Sequence, residues 1–156
     1  FVSGPADTGH TIRMKFLADQ RSYLNALKIR RLLETLAVEE AIEHATDAEV
    51  DGIEMALLEL EKVHAERRHD AKEDKRFHQT IYQASKNEVM AEMLGAIDQL
   101  SRFWEAPFGD TTIFRDSHEL HRPIYEAIRA RDKAAGRASV KRLLDSIETD
   151  LERRRA

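Results

Sequence analysis

Two pairs of side chains have the spacing of metal ligands on a helix. Asp74 and His78 lie four residues apart, and His118 and His121 lie three apart. Residues four apart project from one face of a helix, about 6 Å from each other along its axis. Such ligands, converging from two antiparallel helices, would suit zinc, nickel, manganese or iron rather than a soft metal. An isolated pair of this kind is more often a surface pair, so spacing alone leaves both interpretations open.

Arg30 has two interpretations as well. It lies in a long amphipathic segment, where it is either a surface residue or an inward residue that binds a carboxylate through two hydrogen bonds. Other chemistry is not indicated by the sequence, which has no glycine-rich phosphate loop and no Gly-x-Ser-x-Gly or His-Glu-x-x-His motif. It also has no cysteine, which excludes a disulfide framework, a thiolate zinc site and a cysteine nucleophile.

The composition is that of one globular domain. The chain has 156 residues, of which 42% are hydrophobic and 35% charged, with a formal net charge of -4. An acidic chain is a poor candidate for a nucleic-acid surface. No apolar run approaches the roughly 18 residues that a membrane span needs. We therefore expect no membrane association, and the absence of cysteine fits a cytoplasmic protein.

The elements that must position these residues are predicted to be helices. Apolar residues recur at steps of three and four over most of the chain, and no long segment alternates with period two. Thr46 and Glu49 form a capping-box pattern, so a helix should start there. We expect further helices over about 71–85, after Asn87, near Thr112 and after Asp132. Pro123 predicts a kink or a break into two short helices.

The expected fold is all-α, an antiparallel bundle of six or seven helices. Apolar stripes are predicted to face its interior. In the helix after Asn87 this stripe comprises Met90, Met93, Ile97, Leu100 and Trp104.

Three ordered blocks carry a resemblance to a known family. They are Asp74-Lys75-Arg76-Phe77-His78, then Ala84-Ser85-Lys86-Asn87, then the run from His121 to Asp132, and Arg30-x-x-Leu33-Glu34 precedes them. Together they resemble the C-terminal effector domain, called FCD, of GntR-type transcription regulators of the FadR subfamily. Phe1-Val2-Ser3 resembles the last strand of the winged helix-turn-helix that precedes this domain. The resemblance thus implies a linker over 1–12 from a missing DNA-binding domain, and an effector-binding and dimerisation domain over 13–156.

The resemblance also implies a metal site inside the bundle. Members of the family commonly bind a divalent metal with one Asp and three His, and three of these positions correspond to Asp74, His78 and His121. The fourth corresponds to Leu143, which cannot ligate a metal. Either three ligands hold the ion, with water or effector at the open positions, or the metal is lost. His118, one turn before His121, is a possible substitute.

A pocket for a small carboxylate effector is implied beside the metal. Arg30 becomes the expected carboxylate anchor, Tyr82 a hydrogen-bond donor, and Arg102 a residue at the pocket end. The leading hypothesis is therefore a ligand-sensing domain that forms a homodimer and affects DNA only through the missing N-terminal domain. Two alternatives remain open. One is a metal-dependent hydrolase or lyase that uses the same three ligands, and the other is an oligomerisation bundle without a ligand.

Overall fold

The structure is a computed structural model that describes residues 20–66, 70–105 and 119–153. These ranges contain six α-helices and no strand, so the predicted all-α fold is confirmed for them. The helices are α1 (Gln20–His44), α2 (Asp47–Ala65), α3 (Ala71–Ala84), α4 (Glu88–Glu105), α5 (Arg122–Arg129) and α6 (Lys133–Arg153). The predicted linker, the helix near Thr112 and His118 lie outside the described residues. Within the described ranges, no helix is long and apolar enough to cross a membrane.

Side-chain caps fix three of the helix starts. The Thr46 hydroxyl accepts a hydrogen bond from the backbone N–H of Glu49 at 3.3 Å, and the Glu49 carboxylate accepts from the backbone N–H of Thr46 at 2.9 Å. At the start of α4, Asn87 Oδ1 accepts a hydrogen bond from the backbone N–H of Met90 at 3.1 Å. At the start of α6, Asp132 Oδ1 accepts from the backbone N–H of Ala135 at 3.0 Å. The predicted capping box and Asp132 cap are therefore confirmed.

Pro123 lies at the start of a helix and does not kink one. It occupies the second position of α5, after a short 3₁₀ turn at Glu119 and Leu120. The first N–H groups of a helix have no partner within it, so the missing N–H of proline leaves no bond unmade there. This start brings His121, the residue before α5, to a fixed place against α3.

Helix α1 organises the bundle, because it packs against α3, α4, α5 and α6. Its contact with α6 depends on Gly136, where a Cβ atom would lie only 2.9 Å from Ile42 Cδ1 and 3.0 Å from Val38 Cγ1. Arg131, between α5 and α6, has a left-handed backbone (φ 56°). Its guanidinium donates hydrogen bonds to the backbone carbonyls of Ile42 and Ala45, at 2.9 and 2.7 Å, where α1 ends. These bonds satisfy carbonyl groups that the last turn of α1 leaves without helical partners.

The predicted inward stripe of α4 is partly wrong. Met90 is buried, but Met93 is 49% exposed. Leu32 of α1 is also exposed, at 69%. Helical periodicity identifies an apolar face, but it does not distinguish a face that covers the core from one that remains on the surface.

Candidate metal centre

Asp74, His78 and His121 converge on one point. His121 Nε2 lies 2.9 Å from Asp74 Oδ1 and 3.2 Å from His78 Nε2, and His78 Nε2 lies 3.9 Å from Asp74 Oδ1. The structure therefore brings together all three metal ligands that the sequence predicts.

The triangle of donor atoms is close to the size that a metal ion requires. A tetrahedral ion bound at about 2.0–2.2 Å from each ligand separates its donors by roughly 3.3–3.6 Å. The three observed separations of 2.9, 3.2 and 3.9 Å lie on both sides of that range. Two imidazoles and a carboxylate suit zinc, nickel, manganese or iron, and three protein ligands leave at least one position open.

Two helices and an aromatic ring hold these side chains in place. Asp74 and His78 lie one turn apart on α3, while His121 precedes α5. The ring of Phe77 is fully buried and contacts both imidazoles edge-on, with its centroid 5.4 Å from each. Both histidines are buried, whereas the side chain of Asp74 is 43% exposed. The site therefore has one face that solvent reaches and one that the core encloses.

The structure offers no fourth protein ligand at the position the resemblance implies. Leu143 is buried in α6 as part of the hydrophobic core. His118, the possible substitute, lies outside the described residues.

A second layer of buried charge lies behind His78. The Glu34 carboxylate is 2% exposed and accepts hydrogen bonds from the Tyr82 hydroxyl at 2.5 Å and from Arg30 Nε at 3.0 Å. Its other oxygen, Oε2, lies 3.4 Å from His78 Nδ1. Arg30 Nη2 also lies 3.7 Å from Asp98 Oδ1 of α4. Helices α1, α3 and α4 are thus joined by one network of charged groups.

Arg30 points inward, so the interpretation as a surface residue is wrong. Its partners are two internal carboxylates, Glu34 and Asp98. Tyr82 is buried beside them. Arg102 belongs to α4, but its side chain lies outside the described part of the chain.

The electrostatics of the cluster follow from this crowding. Burial alone would raise the pKa of Glu34, but the charges of His78 and Arg30 outweigh burial and hold it well below its usual value. Burial would lower the pKa of His78, but Glu34 and Asp74 raise it to about 8 in the absence of metal. Asp98 shows the opposite balance, because burial raises the pKa of its carboxyl against the attraction of Arg30. The charges of Glu34, Asp98 and Asp74 all act on the guanidinium of Arg30, and a divalent cation beside Asp74 would add positive charge to this group of carboxylates.

Glu34 and Asp98 are the residues of the cluster that sequence reasoning missed as site residues. Arg30 and Glu34 have the i, i+4 spacing of a helical ion pair, which is a weak signal because most such pairs are exposed. Asp98 offered no local signal at all. Its contact with Arg30 depends on the packing of α4 against α1.

Comparison with known proteins establishes the class. A model of the FCD domain matches residues 25–146, so the chain belongs to the FCD domain family, as the resemblance predicted. The HTH-type transcriptional regulator LutR of Bacillus subtilis (strain 168) is 28% identical over 130 residues, which are 78% of this chain and 58% of LutR. The galactonate operon transcriptional repressor of Escherichia coli (strain K12) is 29% identical over 107 residues, 67% of this chain and 47% of the repressor.

Two solved structures share the fold. E. coli McbR/YncC superposes with a TM-score of 0.72 at 20% identity, over 88% of this chain and 68% of that one. Streptococcus agalactiae GntR superposes with a TM-score of 0.65 at 24% identity, over 83% of this chain and 58% of that one. The chain spans about half the length of the curated relatives that it matches. These relatives are GntR-family regulators and the family is not enzymatic, which agrees with the prediction of a non-enzyme and not with the hydrolase or lyase alternative.

Proposed function

We propose that this chain is the effector-sensing part of a GntR/FadR-type regulator and that it binds a small carboxylate through a divalent metal. The observation that carries the proposal is the convergence of Asp74, His78 and His121, whose facing donor atoms lie 2.9, 3.2 and 3.9 Å apart. A divalent ion held there would supply a Lewis-acidic anchor for an effector carboxylate at its open position. Residues 1–12 are proposed to be the linker from the DNA-binding domain, and DNA is contacted only through that domain.

The positions of the side chains suggest which of them would bind the metal and which the effector. Asp74 and the two histidines would hold the ion, with Phe77 fixing both rings. Arg30, Tyr82 and Arg102 are the proposed effector contacts. Because Glu34 and Asp98 already partner the guanidinium of Arg30, an effector carboxylate that reaches it must share or replace one of them. Effector binding then changes how α1 and α4 are joined, and such a change shifts the balance between two states of the regulator.

The test uses the purified protein loaded with zinc. Small carboxylic acids are screened for a rise in melting temperature, with His121→Ala as the variant that lacks a ligand. An acid that stabilises the zinc-loaded wild type and not His121→Ala supports the proposal. The same acid must then change operator binding of the full-length regulator. If no ligand that binds the domain ever alters operator binding, the sensing function is wrong.

We also propose a cytoplasmic homodimer. Ile29, Leu32 and Leu36 form an exposed apolar stripe on α1, and Val89 and Met93 are exposed on the neighbouring α4. A second copy covering this surface would remove it from water, as the predicted dimer requires.

Sedimentation velocity of the purified protein tests this surface. Leu32→Glu should yield monomers. Leu58→Glu is the matched control, since Leu58 is 52% exposed but lies on α2, which packs against α3 and α5. A dimer that survives Leu32→Glu, or one that Leu58→Glu disrupts equally, would contradict the assignment of this surface.

A further inference from the structure

The two carboxylate oxygens of Glu34 have different partners. Oε1 accepts from the Tyr82 hydroxyl at 2.5 Å and from Arg30 Nε at 3.0 Å. Oε2 faces His78 Nδ1 at 3.4 Å. Since both donors approach Oε1 and the whole side chain is buried, the carboxylate has little freedom to turn. Oε2 is thus held in front of the imidazole of His78.

The two ring nitrogens of His78 face different surroundings as well. Nε2 lies among the candidate ligand atoms, 3.2 Å from His121 Nε2. Nδ1 is buried and makes no hydrogen bond of good geometry, so the carboxylate of Glu34 is the acceptor available to it. A neutral imidazole carries one proton, and the partner of one nitrogen decides which nitrogen holds it. An acceptor at Nδ1 places the proton there and leaves the lone pair of Nε2 for a metal.

We propose that Glu34 is a positioning residue that holds His78 in its Nδ1–H tautomer, with Nε2 directed at the metal position. Carboxylates in this role orient ligand histidines and strengthen their binding. The role matters more here than in a four-ligand site, because Leu143 supplies no ligand and each remaining one carries more of the affinity. The inference rests on the proposed function for the metal, but the tautomer is a property of the metal-free protein.

Glu34→Gln tests the positioning role, although it also removes the charge that pairs with Arg30. Tyr82 and Arg30 both donate, so the amide oxygen of the variant should take the place of Oε1. Its NH₂ group then faces Nδ1, which must become an acceptor, and the proton moves to Nε2. The substitution keeps the size of the side chain but puts a donor in place of the acceptor that faces Nδ1.

The first measurement is two-bond ¹H–¹⁵N correlation NMR of histidine-labelled, metal-free protein at about pH 9.5, where ordinary imidazoles are neutral. The wild type should show His78 protonated at Nδ1, and Glu34→Gln should show it protonated at Nε2. Glu39→Gln is the control, because Glu39 lies on the same helix and pairs with Arg137 at the surface. Tyr82→Phe keeps both carboxylate oxygens and should retain the wild-type tautomer, so it reports whether disturbance of the cluster alone changes the spectrum.

The second measurement is zinc affinity by competition with a chelator. Glu34→Gln should bind zinc roughly 10–100-fold more weakly than the wild type, as loss of such a partner does in other sites, and Glu39→Gln should bind normally. An unchanged His78 tautomer in Glu34→Gln would overturn the inference, as would unchanged zinc affinity. A wild type that binds no zinc would refute the proposed metal function, while the NMR result would still decide whether Glu34 sets the tautomer.

Discussion

Breaking the ion pair between Arg30 and Glu34 should destabilise the domain strongly. Glu34→Leu removes the carboxylate and leaves a guanidinium that is only 10% exposed, together with the buried hydroxyl of Tyr82. An unpaired buried charge of this kind typically costs about 3–5 kcal/mol. Asp98 remains 3.7 Å from Arg30 and compensates part of the charge, so the lower end of the range applies.

The assay is urea unfolding of metal-free protein followed by circular dichroism, with thermal melting in parallel. A loss of about 3 kcal/mol corresponds to a melting temperature roughly 6–12 °C lower for a domain of this size. Glu39→Leu serves as the control. It removes a surface pair with Arg137, and such pairs contribute about 0–1 kcal/mol.

A double variant tests the cause. Arg30→Met combined with Glu34→Leu removes both charges of the pair, so it should recover part of the stability that Glu34→Leu loses. The recovery is incomplete because Asp98, whose side chain is 11% exposed, then also loses its cationic partner. Equal stability of Glu34→Leu and Glu39→Leu would refute the reasoning.

The remaining predictions concern helix packing, helix capping and the dependence of stability on acid. Gly95→Ala should stabilise the protein by up to about 1 kcal/mol, since the new Cβ would meet no packing neighbour within 4 Å beyond its own helical turn. Gly136→Val should destabilise it by about 1–3 kcal/mol through contact with Ile42. Urea unfolding should rank the two variants on either side of the wild type, and a stabilising Gly136→Val would contradict the packing of α1 on α6. Thr46→Ala should cost about 1 kcal/mol by removing the cap of α2. Hydrogen bonds from Lys86 and Thr46 lower the pKa of Glu49 to about 2 against a small opposing effect of burial, so its contribution to stability is present above pH 4.5 and is lost as the pH falls toward 2. Glu49→Gln should therefore unfold with a weaker dependence on pH in that interval, as acid titration followed by circular dichroism would measure, and an unchanged acid profile would contradict the assignment.

The sequence predicts where the helices of this fold start better than it predicts which residues pack against each helix. Helix starts are local events, so Thr46 and Asp132 indicate them with a few neighbouring residues. The burial of Met93 was predicted wrongly because helical periodicity gives a face and not what covers it. The left-handed backbone at Arg131, a residue type that rarely adopts it, depends on carbonyl groups of α1 about 90 residues away in the chain, which no local pattern encodes.

The residues of the candidate site also differ in how well the sequence predicts them. Asp74 and His78 were predicted as candidates because they are one helical turn apart. His121 was a candidate through its spacing from His118, and the family resemblance placed it with Asp74 and His78. Glu34 was missed because a buried carboxylate is stable only with partners, and its partner Tyr82 is 48 residues away. The inward direction of Arg30 remained open for the same reason.

Metal content is the most direct test of the central claim. The purified protein is incubated with zinc, desalted, and analysed by elemental analysis with and without prior chelation, alongside Asp74→Ala and His121→Ala. We expect about one zinc per chain in the wild type, a lower melting temperature after chelation, and loss of the metal in both variants. A wild type that retains no zinc, nickel, manganese or iron and whose melting temperature is unaffected by chelator would contradict a metal centre at Asp74, His78 and His121.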